Sequence, residues 1–567
     1  MEATRTPRRN RASMYRGECE SIKLRGRRMR DRANDSLPAM IDRGRMNSGP
    51  LYRRAYSWIA ALVLCVYLAL ACGTALTKRP WCDEACFANP GIDLITRGSF
   101  GYTAMDPTGY ALLIGWVFPR VQTHAYFIMP FDPLLQAGWF KLFGVGVFTM
   151  RSLHIVFGLA ALSCWGFLVL RLSGRPPAAL LAVALIGVDR SFVFAAADGR
   201  PDMTSAAFGV AALAVYLGFR ESRIGLAIFL ANACMAASVL SHPIGGVSAF
   251  GLLYLAIHLD RSRLAWRHIL IAAAPYVVGF GLWGWYISLD PEAFQKQFLA
   301  NASTGRFGGL SAPLLGFWRE VVIRYMERSY LPPYAGGWKK LMVLVPVLYG
   351  LAALICCFVP TARKSAAPAA LAPAPENQAA RIFGRLALLY FVVFSLLEGT
   401  KADFYLVHMT PLLCCCAAMG IDSWWIAGGV RRFTGAGVAL LLVVFHIGWN
   451  VYSIRRDPYR QSYTAITTYI KRHAGPHALV MGGGELGFDL GFYGPVLEDA
   501  TLGYYSGRQP DFVVVDDKCY RQTIYALEGK APDVYRHVMK VLNQDCEKVF
   551  TSGTSDVYAR RSLVRSN

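Results

Sequence analysis

Long apolar segments recur along the chain, and polar segments that often carry arginine separate them. Each apolar segment has roughly the 20 residues that a helix needs to cross about 30 Å of hydrocarbon. The pattern predicts about eleven membrane-spanning helices, near residues 55–77, 148–170, 177–197, 203–219, 225–241, 243–258, 267–288, 340–360, 383–399, 403–421 and 433–453. The chain is therefore predicted to be a polytopic α-helical membrane protein.

Composition supports this class. Of the 567 residues, 54% are hydrophobic and 17% are charged, whereas soluble proteins carry about a quarter charged residues. The net charge of +22 does not indicate nucleic-acid binding, because the basic residues lie in the N-terminal tail and in short tracts between spans. No surface with interleaved aromatic and basic residues is evident, so no nucleic-acid partner is expected.

Arginines beside the apolar segments predict the orientation, because cytosolic loops of membrane proteins are enriched in Lys and Arg. Arg53 and Arg54 place the N-terminus in the cytosol. Alternation then brings every short basic loop to that side: Arg171 and Arg175; Arg220 and Arg223; Arg261, Arg263 and Arg267; Arg363 and Lys364; Arg431 and Arg432. We therefore predict a multi-pass plasma (inner) membrane protein whose C-terminal segment lies outside or in the periplasm. The loops 78–147 and 289–339 and the turn 198–202 fall on that same outer side.

Three domains are predicted. Residues 1–54 are rich in Arg and read as a disordered cytosolic tail that touches anionic membrane lipids. Residues 55–455 form the membrane core, in which 361–381 is a Pro/Ala-rich linker without a fold. In 456–567, strand patterns alternate with helical ones, which predicts a small exported α/β domain. The glycines 482–484 there favour a tight turn over a phosphate-binding loop, because the G-x-G-x-x-G spacing is missing.

Ionisable residues gather on the predicted outer side. The first outer loop opens with the adjacent carboxylates Asp83 and Glu84. Later outer segments add further charged or titratable side chains: Asp198, Arg200, Asp202, His242, Glu398 and Lys401. Such residues are costly near membrane depth, so they usually line a cavity or pathway. Carboxylates, an imidazole and cations together suit the deprotonation of a hydroxyl and the binding of a lipid phosphate.

A purely structural explanation also exists for each of these residues. Arg200 and Asp202 could form an ion pair inside a helix–turn–helix. His242 could be a satisfied histidine at a helix start, Lys401 an anchor at the membrane interface, and Asp83 a helix cap. Their joint occurrence on one side is the stronger argument for a site.

Several motifs resemble the GT-C superfamily of membrane glycosyltransferases. The closest branch holds the dolichyl-phosphate-mannose protein mannosyltransferases, the lipid A aminoarabinose transferases and related bacterial transferases. The segments WCDEACFANPGIDLITRGSFG (81–101) and MPFDPLLQAGWFKLFGVGVFTMRSLHIVFG (129–158) resemble its first-loop helices, and GTKADFYLVHMTPLL (399–413) resembles its late Lys–Tyr–Pro pattern. AADGRPDM and SHPIGG match later turns more loosely. The resemblance covers most of residues 55–455.

This resemblance implies a GT-C-like fold with amphipathic helices in the first outer loop. It also implies an inverting hexosyl- or pentosyltransferase. The donor would be a polyprenyl-phosphate-linked sugar, used at the non-cytosolic face on a lipid, glycan or protein acceptor. Asp83 would be the catalytic base, and Glu84 would orient the acceptor or a metal.

The remaining site residues follow from the same resemblance. Arg200 and Lys401 would hold the lipid phosphate, with Tyr405 beside them as a further substrate contact. Asp202 and His242 would complete the substrate site and could share a divalent metal, although no ligand spacing specifies one. No cofactor is assigned.

Two departures from the family pattern affect the first loop. Pro90-Gly91 interrupts its first helix, which we expect to break there. Phe131-Asp132-Pro133 stands where relatives tend to have a Pro-Pro-Leu-Tyr run, so acceptor contacts are expected to differ.

The cysteines predict one disulfide. In the exported domain, Cys519 and Cys546 lie beside neighbouring strand patterns and are expected to pair. Cys82 and Cys86 are the competing pair, but their spacing within one helical turn gives poor geometry for a bridge.

Two other classes of protein stay open. A transporter or flippase of lipid-linked glycans would also need charges in a cavity, but no internal repeat is visible. A structural subunit of an envelope complex could act through its C-terminal domain. A measurement of sugar transfer by the purified protein would distinguish a glycosyltransferase from these two classes.

Overall fold

The computed structural model describes residues 50–108, 118–299, 302, 312–330, 344–358, 375–517 and 520–564. The chain divides into two units, Met1–Ala60 and Ala61–Asn567. In the first unit, the described residues begin helix α1. Most of the predicted N-terminal tail lies outside the described residues, as do Cys519 and residues 361–374 of the predicted linker. Residues 375–381 of that linker are helical, because helix α12 begins at Pro375.

Helices make up most of the described residues. In chain order from α1 to α14 they are Pro50–Thr77, Cys82–Arg97, Phe131–Phe143, Val147–Ser173, Pro176–Val188, Arg190–Ala196, Asp202–Phe219, Ile224–Ser241, Val247–Asp260, Arg267–Ser288, Leu344–Phe358, Pro375–Leu397, Thr410–Ala427 and Gly429–Arg455. Further helical segments, several of them 3-10 or π-helical, lie at Pro243–Gly246, Arg261–Arg263, Pro291–Phe294, Gln295–Leu299, Pro313–Arg319, Glu320–Tyr330 and Asp403–His408.

Within the described residues, nine helices are long and apolar enough to cross a membrane, or ten if the bent pair α5 and α6 counts as one span. The prediction of a polytopic helical protein is confirmed, but the count of eleven is not. The predicted span 340–360 corresponds to the shorter apolar helix α11. The predicted span 403–421 begins too early, because Pro411 favours a helix start at Thr410 and residues 403–408 form a separate 3-10 helix.

A bend of 64° between α5 and α6 brings the chain to the turn 198–202. Asp189 stands at the bend, and its carboxylate accepts hydrogen bonds from the backbone N–H groups of Ser191 and Phe192. Such a cap satisfies N–H groups that a helix start leaves without partners. The capped helix α6 is therefore a fixed support for the turn that follows it.

Contacts between loops define one end of the helical bundle. The first loop contacts the turn 198–202 through Asp83 and Arg200, and it contacts the segment after α10 through Arg120 and Asp290, whose Nε and Oδ2 atoms lie 2.5 Å apart. Arg79, just after α1, contacts the C-terminal domain. These segments are the ones that the sequence places together on the outer side. Which end of the bundle faces the cytosol stays a prediction.

Helix α2 runs through Pro90 without a break, so the predicted interruption is wrong. Tertiary packing explains the difference. Helix α3 crosses α2 so closely at Gly91 that an added Cβ would lie 2.7 Å from the carbonyl oxygen of Pro133. Gly91 therefore permits the contact that keeps α2 continuous, which outweighs the local cost of the proline.

The C-terminal segment is a small α/β domain, as predicted. Its sheet has five strands, β1 to β5, at Val480–Met481, Val496–Leu497, Phe512–Val515, Cys546–Ser552 and Ser555–Arg560, in the order β2-β1-β3-β5-β4. Strand β1 is parallel to β2 and β3, whereas β5 is antiparallel to β3 and β4. Helices α15 to α17 are Ala465–His473, Tyr520–Lys530 and Pro532–Lys540, and shorter segments lie at Tyr459–Thr464, Gly484–Leu486, Gly487–Leu490, Val541–Asp545 and Arg561–Val564. Sequence reasoning missed β2 and α16.

Candidate functional site

Asp83 and Glu84 occupy the first turn of α2, where the helix dipole favours negative charge. Their surroundings differ sharply. The side chain of Asp83 is 36% exposed, whereas that of Glu84 is 0% exposed. Of the two carboxylates, only Asp83 can reach a substrate from this position.

Glu84 is an anchor. Its two carboxylate oxygens accept hydrogen bonds from Arg151 Nε at 2.7 Å and Nη2 at 2.6 Å, and Oε1 also accepts from the N–H of Gly199 at 2.9 Å. Arg151 also donates to the carbonyl oxygens of Ala75 and Lys78. Burial opposes ionisation of Glu84, but the Arg151 guanidinium outweighs it and lowers the pKa of this carboxyl. Glu84 thus ties α2 to α4 and to the turn 198–202, and the acceptor-orienting role expected for it finds no support in this geometry.

Arg200 links Asp83 to Asp202. Its Nη1 pairs with Asp83 Oδ2, and its Nε lies 2.8 Å from Asp202 Oδ2. The guanidinium also lies 3.9 Å from the ring centroid of Phe404 and 5.3 Å from that of Phe87, within the range of cation–π attraction. Burial disfavours the charge, but the carboxylates of Asp202 and Asp83 outweigh it and raise the pKa of Arg200. The structure therefore brings together three residues that the sequence assigned to the site.

A second ion pair lies beside the anchor. Lys78 Nζ is 2.8 Å from Asp198 Oδ2 and 3.6 Å from Glu84 Oε1. Burial raises the pKa of Asp198 to about 6, against the ammonium of Lys78, which favours the ionised form. Sequence reasoning missed Lys78 and Arg151 as partners, although the position of Lys78 directly after the first span was a usable signal.

His242 and Tyr405 lie next to each other, with ring centroids 5.3 Å apart. His242 Nδ1 accepts a hydrogen bond from the N–H of Ile244, so this imidazole caps the segment Pro243–Gly246. The nearby His408, which sequence reasoning missed, is 3% exposed, and its ring nitrogens have no hydrogen-bond partner among the described residues. Burial lowers the pKa of His408 to about 3, so the ring is neutral at physiological pH.

Lys401 is committed to protein partners. Its ammonium lies 3.1 Å from Glu320 Oε2 and donates to the carbonyl oxygens of Phe394 at 2.9 Å and Ser395 at 3.0 Å. An ammonium has three donors, and the side chain is 1% exposed. Arg324 completes the network by contacting Glu320 and Glu398. This geometry supports a structural role for Lys401, in a buried ion network and not as an anchor at the membrane interface, and it leaves Arg200 as the cation beside Asp83.

In the part of the chain that the structure describes, no three His, Cys, Asp or Glu side chains are grouped to hold a metal ion. The structure therefore assigns no metal to Asp202 and His242.

The predicted disulfide is wrong. Cys546 is a buried free thiol, and Cys86 is also free. Cys82 is disulfide-bonded. The prediction rested on neighbouring strand patterns, and such patterns do not fix the direction in which a thiol points, because that direction depends on tertiary packing.

Comparisons with known proteins extend this description. No protein-family model matches the sequence, and no curated protein sequence matches it. Two crystal structures of ArnT from Cupriavidus metallidurans, one bound to undecaprenyl phosphate and one in the apo state, are similar in structure. In each case the identity is 17%, the TM-score is 0.53, and the match covers 90% of this chain and 99% of ArnT. The archaeal oligosaccharyltransferase AglB from Archaeoglobus fulgidus matches with a TM-score of 0.48, at 12% identity over 89% of this chain and 75% of its own.

The match to ArnT runs through both the helical bundle and the C-terminal domain, because it covers almost the whole of both chains. At 17% identity the likeness concerns the fold. The chain therefore has the GT-C-like fold that its first-loop motifs resemble: a polytopic membrane core followed by a small α/β domain.

Proposed function

We propose that the protein is a membrane glycosyltransferase that moves a sugar from a polyprenyl-phosphate donor to a lipid, glycan or protein acceptor at the non-cytosolic face. One observation carries the proposal. A partly exposed carboxylate, Asp83, is fixed beside a buried guanidinium, Arg200, at the end of the bundle where the loops meet. The fold shared with ArnT, one of whose structures contains undecaprenyl phosphate, supports the choice of donor.

In this mechanism Asp83 takes the proton of the acceptor hydroxyl as the acceptor oxygen attacks the anomeric carbon. The bond from that carbon to the phosphate oxygen breaks on the opposite side, so the configuration inverts and the polyprenyl phosphate leaves with the electron pair. The phosphate is an adequate leaving group, so the protein has to stabilise charge more than supply a proton.

Arg200 is the residue to which we assign the phosphate. A guanidinium has five N–H donors, and the contacts to Asp83 and Asp202 use Nη1 and Nε. The other donors suit phosphate oxygens, which arginine binds with a planar fork. Asp202 orients the guanidinium, while His242 and Tyr405 form a neighbouring wall for the substrate.

The direct test uses the full-length protein in lipid nanodiscs with undecaprenyl-phosphate-linked hexoses and pentoses carrying a radiolabel. We expect release of undecaprenyl phosphate coupled to the appearance of label in acceptors from a membrane extract. Movement of intact lipid-linked sugar across vesicles, with no cleavage of the sugar–phosphate bond, would instead establish the flippase.

Lys401→Met tests whether this lysine contacts the donor. We expect a loss of stability smaller than the roughly 3–5 kcal/mol of a fully broken buried pair, because Glu320 loses its ammonium partner but keeps Arg324 at 2.8 Å. Thermal unfolding in detergent measures the stability. The affinity of the remaining folded protein for undecaprenyl phosphate should match the wild type. Weaker binding with an unchanged melting temperature would return Lys401 to the phosphate site.

A further inference from the structure

We infer that the C-terminal α/β domain positions the catalytic site. It packs against helix α2 and so fixes the direction of Asp83. The inference rests on the proposed function for its catalytic consequence. The packing of the domain against α2 can be tested without any substrate.

The domain contacts the chain on both sides of Asp83. Before it, Arg79 donates to the Ser555 hydroxyl at 2.8 Å and lies 3.3 Å from Asp516 Oδ2. After it, the turn at Gly484 packs against Ala85, two residues beyond Asp83. The C-terminal domain thus contacts the chain both before and after the proposed base.

Gly484 is the closest point of this contact. An added Cβ would overlap the hydroxyl oxygen of Tyr102, lie 2.9 Å from Glu498 Oε2 and lie 3.3 Å from the Cβ of Ala85. Tyr102 and Glu498 are both 0% exposed, so neither can swing into solvent to make room. A side chain at position 484 would therefore force the domain and α2 apart.

The loop after α2 joins the domain by backbone hydrogen bonds. The N–H of Glu498 donates to the carbonyl oxygen of Ala104 at 2.6 Å, and the N–H of Asp106 donates to that of Glu498 at 3.1 Å. The Tyr102 hydroxyl donates to the Glu498 carboxylate. These bonds make the first loop an extension of the β2 edge of the sheet.

The domain also contacts the C-terminal half of α2. The Tyr493 hydroxyl donates to Asp93 Oδ1 at 2.8 Å, and Phe492 packs into a buried cluster with Ala85 and Ile92. Together with the Glu84–Arg151 anchor, these contacts hold α2 from the membrane core on one side and from the C-terminal domain on the other. A shift of about 1 Å at a catalytic group can lower a rate by around 10²-fold.

The test compares Gly484→Ala with Gly529→Ala, both in the full-length protein. Gly529 lies in the same domain, and a Cβ there meets open space, so it is a matched control. The reporter is Cys86, a free thiol on α2 whose pKa is raised well above the usual range by burial and by the nearby Glu498 carboxylate. Iodoacetamide labelling of Cys86 is followed by peptide mass spectrometry without reductant, because Cys82 is disulfide-bonded.

We expect Gly484→Ala to speed Cys86 labelling severalfold, since local opening of α2 exposes more of this half-buried thiol. Amide hydrogen exchange in residues 82–97 should rise with it, and Gly529→Ala should match the wild type in both. Tyr102→Phe, which removes one hydroxyl and keeps the ring, should give a smaller change in the same direction. This second variant keeps the test valid if Gly484→Ala fails to fold.

Turnover of the lipid-linked sugar gives the catalytic readout. A positioning role predicts a fall in kcat on the order of 10²-fold for Gly484→Ala, with the KM for the lipid donor unchanged. Unchanged Cys86 labelling and amide exchange in Gly484→Ala and Tyr102→Phe would show that the domain does not hold α2 in place. A loosened α2 with wild-type kcat would overturn the positioning role. If the wild type transfers no sugar, only the proposed function is contradicted. Labelling and exchange still decide whether the domain holds α2 in place.

Discussion

Asp83→Asn is expected to lower sugar transfer by about 10²–10⁴-fold, the usual contribution of a positioned general base. The change keeps the size of the side chain and removes its ability to accept the acceptor proton. Arg200 retains Asp202 as a carboxylate partner at 2.8 Å, so the site should keep its shape. Turnover of an undecaprenyl-phosphate-linked sugar by purified protein in nanodiscs measures the loss.

The matched control is Asp533→Asn. Asp533 belongs to an exposed ion pair with Arg536 on helix α17, and exposed pairs contribute little to stability. This variant should transfer sugar at the wild-type rate. Melting temperature and the binding of undecaprenyl phosphate should agree among all three proteins. A folded Asp83→Asn protein with normal turnover would remove Asp83 from the chemistry and, with it, the proposed mechanism.

Glu84→Gln is expected to act through stability. The side chains of Glu84 and Arg151 are both 0% exposed, and loss of the carboxylate charge leaves the buried guanidinium without its carboxylate partner. Breaking such a pair costs roughly 3–5 kcal/mol. Thermal unfolding in detergent should show the loss, and Cys86 on the same helix should label faster as α2 loosens.

The double variant Glu84→Leu/Arg151→Met separates this role from a chemical one. A buried ion pair replaced by apolar groups of similar volume is often neutral or stabilising. We expect the double variant to be more stable than Glu84→Gln, although the hydrogen bonds to Gly199, Ala75 and Lys78 are still lost. If Glu84→Gln melts like the wild type but has lost transfer, Glu84 takes part in the reaction.

The two acids of the first loop therefore divide the work between them. In the proposed mechanism the partly exposed Asp83 takes the proton, and the buried Glu84 holds the helix that carries Asp83. Arg200 pairs with both Asp83 and Asp202, so in the proposed site three side chains from two loops set the charge that faces the substrate.

Sequence alone determined the class of the protein, because a hydrocarbon layer of about 30 Å imposes a span length that can be read from apolar runs. It also predicted which segments share one end of the bundle, since alternation of spans needs no tertiary information, and the side of the membrane on which that end lies stays a prediction. The motif at Asp83 and the alternating strands and helices after residue 455 indicated the fold that the structure then confirmed. Local propensity failed at Pro90, where the packing of α3 against Gly91 keeps α2 continuous.

Only the tertiary structure decided the role of each charged residue. Consecutive residues of a helix point about 100° apart, so one of two adjacent acids faces the core and the other does not. Which one is buried depends on Arg151, 67 positions along the chain from Glu84. In the same way, Glu320 commits Lys401 to the protein interior, and Gly484 brings a distant domain against α2. Residue types indicate that a site exists, but partners that are distant in sequence decide which of its charged side chains stays accessible to a substrate.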